Sequence, residues 1–160
     1  MSPHQLTDAG SLQLSGTWRT AEALFQAARF ADPAICEEIR ACRSPMQAKM
    51  IAKRNADRMV VAPRGPQDLV HMELILRLKI AQHADLKRQL GEIPNDALIV
   101  EDVTARGVSE SNVFWGAAFI KDEWVGENHL GRLWMGIRAA LLNFEDGQID
   151  MLRRLDDRSS

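Results

Sequence analysis

The stretch that decides the fold is WRTAEALFQAARF, residues 18–30. Thr20 precedes apolar residues spaced three, four and seven apart, which is the spacing of one helix face, and a threonine at that place typically caps the helix start. The polar side chains form a second stripe, because positions three and four apart in a helix face the same way: Glu22, Gln26 and Arg29. The pattern alone favours a solvated helix face for this stripe, and a functional surface is the alternative.

Three further helices are predicted in the first half of the chain. Asp32-Pro33 and Ser44-Pro45 each place a capping residue before a proline, the combination typical of a helix start, and they predict helices over residues 33–42 and 45–55. The segment from Gln67 to Ala81 is apolar on nearly every side and predicts a central, buried helix.

The second half mixes strands and helices. A turn at residues 94–96 precedes the apolar run 97–100, which predicts a short buried strand, and a second strand is predicted at 113–115. A final long helix has one apolar face, formed by Leu130, Leu133, Trp134, Ile137 and Leu141. The predicted class is therefore α+β, mostly α-helical: a single compact domain over residues 17–144, between a poorly defined segment 1–16 and a charged tail 145–160.

Composition limits the size of the fold and its partners. With 160 residues, of which 46% are hydrophobic, the chain can bury the core of one ordinary domain. Its 20 basic and 22 acidic residues give a net charge of -2, so there is no overall cationic field to hold duplex nucleic acid through its phosphates. Any contact with nucleic acid must be local.

Several common classes of site are not expected from the sequence. The apolar runs are far shorter than the roughly 20 residues that a membrane span needs, and the first ten residues do not resemble a signal peptide, so we expect a cytoplasmic protein without membrane contact. The two cysteines, Cys36 and Cys42, favour reduced, packed thiols. The four histidines lack metal-ligand spacing, and no phosphate-loop motif occurs, so neither a metal nor a cofactor is expected.

Polar residues near the final helix and the Trp115-Gly116 pair stand out in the second half. Asn128, Gly131 and Arg138 share one face of that helix, where the glycine would permit close approach of a ligand or of another backbone segment. Plain helix packing is the alternative. Trp115 could likewise be a buried indole or a platform on which a base stacks.

Taken in order, these segments resemble the NADAR (NAD and ADP-ribose) superfamily of YbiA-like N-glycosidase domains. The resemblance covers about residues 17–142 and is carried by WRTAEALFQAARF (18–30), SPMQAK (44–49), QHADL (82–86), VE (100–101), WG (115–116) and GENHLGRLWMGIR (126–138). Each piece alone is weak, but their common order is specific. The resemblance implies a mostly helical α+β domain whose ligand is a ribose phosphate joined to a base.

The resemblance also implies roles for individual residues. Glu22 matches the family glutamate and would be the carboxylate near the anomeric carbon, with Arg29 as the second catalytic position. The substrate-binding positions carried over from the family motifs are Trp18, Gln26, Lys49, Trp115, Gly116, Asn128, Gly131 and Arg138. Among these, Asn128 and Arg138 would position sugar or phosphate, and Trp115 would pack on the base.

Departures from the family pattern leave two functions open. Arg29 stands where the family usually has a lysine that is proposed to form an imine with the opened ribose, and arginine stays protonated at ordinary pH. Ala23 replaces the family histidine, and Gly116 is not followed by the usual acid. The first function is an N-glycosidase or ADP-ribosyl glycohydrolase. It would remove ADP-ribose from guanine, as a nucleoside or in DNA, or cleave a riboflavin-pathway phosphoribosylamino-pyrimidine. The second is a catalytically degenerate module that binds ADP-ribose or a nucleotide.

Overall fold

The computed structural model describes residue 14 and residues 17–141 of the chain. Over that range the chain is mostly helical and includes a two-stranded sheet, so the predicted α+β class is confirmed. The predicted tail 145–160 and the predicted N-terminal segment 1–16, apart from residue 14, lie outside the described residues. Contacts group the chain into two compact units, with the division between Gln82 and His83. The limits 17–144 for one domain stay a prediction.

The first unit is built from four helices within the described range. They are α1 Ala21–Ala27, α2 Pro33–Ala41, α3 Pro45–Arg54 and α4 Pro66–Gln82, with a 3₁₀ turn at Ala56–Arg58. Helix α1 packs against each of the other three, and its residues 23–27 are all buried. Because α1 is the shared neighbour, any polar side chain that it carries must find its partners within this unit.

Local signals in the sequence explain where these helices begin. The side-chain oxygens of Thr20, Asp32 and Ser44 each accept a hydrogen bond from a backbone N–H of the first turn, at 3.1, 2.9 and 3.2 Å. Pro33 and Pro45 occupy the first helical positions of α2 and α3, where no N–H is needed. The three predicted starts are therefore confirmed, and so are helices close to 33–42 and 45–55.

Helix α4 differs from its predicted burial. Its extent agrees with the predicted 67–81, but only five of its residues are buried: Asp68, His71, Ile75, Leu76 and Ile80. Val70, for example, is 44% exposed. The prediction of all-round burial is wrong because an apolar surface on a helix need not be covered. Two of the five buried side chains are polar, which makes this face the feature to explain.

The second unit contains three helices and the sheet within its described part. The helices are α5 Ala84–Glu92, α6 Glu110–Trp115 and α7, which covers residues 129–141, and a 3₁₀ turn lies at Thr104–Arg106. Strands β1 Ala118–Ile120 and β2 Glu123–Val125 pair antiparallel, with Ala118 opposite Val125. Lys121 and Asp122 join them with φ angles of 48° and 64°, as a tight two-residue hairpin requires.

Both predicted strands are wrong. Residues 97–100 form neither helix nor strand, and residues 113–115 lie in α6, whose start is capped by the Ser109 hydroxyl. Short apolar runs do not distinguish a strand from a helix or from a buried connection, so the hydrophobic pattern could not decide either case. None of the helices in the described part of the chain is long and apolar enough to cross a membrane.

Gly131 allows α7 to lie directly against the segment before Glu101. A Cβ atom at this position would stand 2.1 Å from the carbonyl oxygen of Ile99 and about as close to the side chain of Asn128. Real Cβ atoms do not approach other atoms so closely, so any side chain here would displace the backbone. Gly136 on the same helix has open space around its Cα.

We therefore predict opposite effects for two alanine substitutions on α7. Gly131→Ala should lower the free energy of unfolding by about 1–3 kcal/mol, because the added methyl overpacks a closed contact. Gly136→Ala should raise it by about 0.5–1 kcal/mol, because alanine favours the helix where space is available. Urea unfolding of both variants measures this difference, and a loss of equal size in both would contradict the packing described.

Candidate active site

The polar stripe of α1 is largely buried. Gln26 is only 6% exposed and Arg29 only 8%, while Glu22 at the start of the stripe is half-buried. The interpretation as a solvated helix face is therefore wrong for Gln26 and Arg29. Buried polar groups are stable only when they are paired, so the partners of this stripe indicate what it does.

A continuous set of hydrogen bonds connects the three side chains. Nε2 of Gln26 donates to Oε1 of Glu22 at 2.7 Å. Nη1 of Arg29 donates to Oε1 of the same glutamine at 3.0 Å. The glutamine amide thus stands between a carboxylate, which can only accept, and a guanidinium, which can only donate. The three predicted residues are therefore brought together in the structure, through direct contacts.

Asp68 completes this arrangement, and the sequence analysis missed it. Nε of Arg29 donates to Oδ1 of Asp68 at 2.9 Å, and Nη2 donates to Oδ2 at 2.7 Å, a two-point ion pair. Asp68 is fully buried and also accepts the backbone N–H of Arg64 at 2.8 Å. An acid in the first turn of a helix is ordinarily explained by the helix dipole. Nothing in the local sequence links it to a residue 39 positions away.

The same guanidinium is restrained on its face as well as along its edges. Cζ of Arg29 lies 4.6 Å from the centre of the Phe25 ring, within the range of a cation–π contact. Together with Asp68 and Gln26, this contact fixes the plane of the guanidinium. The edge that would bind a phosphate in two-point fashion is the edge that holds Asp68.

His71 lies on α4, one turn after Asp68, and is almost completely buried. Its Nε2 is 2.9 Å from Nε2 of Gln67, so the amide donates and the ring proton lies on Nδ1, which has no partner among the described residues. Burial lowers the pKa of His71; Asp68 opposes this shift, and the positive charge of Arg29 adds to it. The imidazole is therefore neutral in the folded protein at neutral pH.

The remaining predicted residues of the first unit have different environments. Trp18 is buried, and its Nε1 has no partner among the described residues. Lys49 is exposed on α3, whereas its neighbour Ala48 is buried against the unit. A groove of about 370 Å³ next to α3 contains none of the predicted site residues; it is lined by Glu38, Ala41, Cys42, Gln47, Met50, Ile51 and Arg54. Substrate roles for Trp18 and Lys49 stay predictions.

In the second unit, Asn128 and Arg138 bind main-chain groups. Oδ1 of Asn128 accepts the N–H of Glu101 at 3.0 Å, and its Nδ2 donates to the carbonyl of Ile99 at 2.8 Å. Nη1 and Nη2 of Arg138 donate to the carbonyls of Ala97 and Asn95 at 2.9 and 2.8 Å. These side chains replace the pairing that a strand over 97–100 would have provided. Their predicted contact with sugar or phosphate is untested.

Trp115 and Gly116 lie where α6 ends. The Trp115 ring meets the Phe114 ring edge-on, with 4.9 Å between centroids, and is half-buried. A Cβ atom at Gly116 would stand 2.2 Å from the carbonyl oxygen of Glu101, so the glycine permits the 2.9 Å hydrogen bond from the N–H of Ala117 to that oxygen. Packing therefore accounts for Gly116, and base stacking on Trp115 stays a prediction. No group of three His, Cys, Asp or Glu side chains in the described ranges could hold a metal ion.

The neutral state of His71 predicts a pH-dependent stability. Since the folded pKa lies below the ordinary value of 6.5, the unfolded chain takes up a proton that the folded protein refuses. The free energy of unfolding should therefore fall as the pH drops below about 6.5. In His71→Gln this part of the decrease should be absent. Denaturant unfolding from neutral to mildly acidic pH tests this, and parallel curves for the two proteins would contradict it.

Comparison with known proteins agrees with the resemblance seen in the sequence. The family model described as the NADAR domain matches residues 2–142, which extend over both compact units. The protein named N-glycosidase YbiA from Escherichia coli strain K12 is 32% identical over 127 residues, covering 78% of this chain and 71% of the relative. The protein of the same name from Shigella boydii gives the same identity and coverage.

A solved structure supports the same assignment. The NMR structure of the E. coli protein YbiA matches with a TM-score of 0.65 and 29% sequence identity, covering 90% of this chain and 75% of that one. The family match, the named relatives and the structural neighbour agree with one another, and the relatives support N-glycosidase chemistry of the NADAR type. This chain belongs to the NADAR family.

Proposed function

We propose that this protein hydrolyses the N-glycosidic bond of a ribose phosphate. The observation that carries the proposal is the half-buried carboxylate of Glu22, which is held by Gln26 at the end of a buried set of polar contacts. The names of the curated relatives support the reaction type. The candidate substrates are ADP-ribose attached to guanine, as a nucleoside or in DNA, and a riboflavin-pathway phosphoribosylamino-pyrimidine.

The reaction needs a negative charge near the sugar. When the bond between C1 and the base nitrogen breaks, its electron pair leaves with the base, and positive charge develops on C1 and the ring oxygen. A fixed carboxylate lowers the energy of that charge most where water is largely excluded. Water then adds to C1, its proton passes to a base, and the departing nitrogen gains a proton. Glu22 is the group that we assign to the charge and to the incoming water.

Arg29 defines how the reaction proceeds. An arginine stays protonated and does not form an imine with an opened ribose. In addition, both of the nitrogens on one of its edges are hydrogen-bonded to Asp68. We therefore propose direct attack by water, without a covalent intermediate. The same ion pair also argues against the alternative of a pure binding module, in which Arg29 would use that edge to hold a phosphate.

The first prediction concerns Glu22. Glu22→Gln should reduce kcat on the order of 100-fold or more, because an amide cannot stabilise the developing positive charge. Ligand binding, followed by thermal stabilisation with ADP-ribose, should change little, since Gln26 can still form a hydrogen bond to this position. Glu37→Gln, which breaks only the exposed pair with Arg40, is the matched control. Unchanged turnover in Glu22→Gln would remove Glu22 from the mechanism.

The second prediction concerns the intermediate. Cyanoborohydride added during turnover should leave the mass of the intact protein unchanged, because no imine forms for it to reduce. Product release in the same sample shows that substrate was processed. A mass increase equal to the sugar portion, mapped by peptide analysis to a lysine such as Lys49, would show that a lysine elsewhere in the chain has taken over the covalent step.

A further inference from the structure

We infer that Asp68 is a positioning residue for the proposed reaction and that it acts on Glu22 through Arg29 and Gln26. The inference rests on the proposed role of Glu22. Asp68 is fully buried on α4 and is connected to that carboxylate by three successive contacts, none longer than 3.0 Å. Neither the family motifs quoted above nor the sequence pattern assigns Asp68 a function.

The first step of the argument is the orientation of the Gln26 amide. Its NH₂ group must face the Glu22 carboxylate, and its oxygen must face the Arg29 guanidinium. In the reverse orientation, oxygen would meet oxygen and N–H would meet N–H, and both hydrogen bonds would be lost. The amide therefore transmits the position of Arg29 to Glu22 without placing a charge beside the carboxylate.

The second step is what holds Arg29. Its guanidinium is buried and charged, so it requires an anion. Asp68 supplies that anion in two-point geometry, and the backbone N–H of Arg64 fixes one oxygen of the aspartate. Glu22 and Arg29 are seven positions apart and face the same way from α1. Without Asp68, the nearest acid on that face of the helix would be Glu22 itself.

The consequence is that Asp68 keeps two opposite charges of α1 apart. While Asp68 binds the guanidinium, Arg29 reaches only the neutral amide of Gln26, and the carboxylate of Glu22 keeps its charge for the substrate. If Asp68 loses its charge, Arg29 is free to displace the amide and to pair with Glu22. A carboxylate paired in this way no longer faces the anomeric carbon, and a displacement of about 1 Å at a reacting group can cost on the order of 100-fold in rate.

The kinetic test uses Asp68→Asn, which keeps the size of the side chain and removes its charge. We expect kcat to fall on the order of 100-fold with little change in KM. In a Gln26→Met background, where the connection is already broken, the same substitution should have much less additional effect on kcat. A structural role would instead give equal losses in both backgrounds. Glu37→Gln is the control, and folded fractions measured by circular dichroism correct every rate.

A spectroscopic test does not depend on turnover and remains informative if Asp68→Asn is unstable. The two side-chain amide protons of Gln26 should give separated, slowly exchanging NMR signals in the wild-type protein, because one of them is bonded to Glu22. Asp68→Asn should move these signals and speed their exchange, and Glu37→Gln should not. If Asp68→Asn cannot be prepared, Asp68→Glu, which keeps the charge but shifts it by one methylene, should show a smaller change of the same kind.

The outcomes separate this inference from the proposed function. If the wild-type protein turns over no ribose phosphate, the proposed function fails. If the wild type is active and Asp68→Asn keeps both its kcat and the Gln26 signals, the positioning role of Asp68 is overturned while the proposed function stands. Equal losses of kcat with and without Gln26 would also overturn it.

Discussion

The buried ion pair between Arg29 and Asp68 is the interaction on which the first unit depends. It joins α1 to α4 inside the protein, where an unpaired guanidinium or carboxylate would be strongly unfavourable. Removing one partner of such a pair typically costs about 3–5 kcal/mol, because the other charge stays buried without compensation. The polar stripe of α1 can be buried only because this partner exists. The pair therefore explains at once why Gln26 is inside the protein and why Glu22 has a defined position.

The second unit solves a similar problem without an ion pair. The segment over residues 95–101 has no strand partner in the described structure, so its carbonyl and N–H groups need side chains to bind them. Asn128 and Arg138 serve this purpose, and Gly131 leaves the space in which they do so. Residues that match a family motif thus carry much of the fold here. A match to a motif by itself does not separate a ligand contact from an internal hydrogen bond.

The parts of the structure that the sequence predicts are those governed by local chemistry. The caps at Thr20, Asp32 and Ser44 and the helices that follow them depend on neighbouring residues only, and they were predicted correctly. The strands at 97–100 and 113–115 were wrong, because short apolar runs carry no information about hydrogen-bond partners. Asp68 could not be predicted as a partner of Arg29, since the contact depends on how α1 and α4 pack. The spacing of Glu22, Gln26 and Arg29 placed them on one face, but only packing shows that the face is buried.

The central claim is that the chain keeps glycosidase chemistry although arginine occupies the position of the family lysine. Mass spectrometry of the purified wild-type protein tests it most directly, with ADP-ribosylated guanosine, the same modification in DNA, and the phosphoribosylamino-pyrimidine as substrates. The account predicts that at least one of them is split into free base and ribose phosphate in equal amounts, at a rate that depends on protein concentration. Intact substrate after long incubation, together with thermal stabilisation by ADP-ribose, would contradict it and indicate a protein that binds without cleaving.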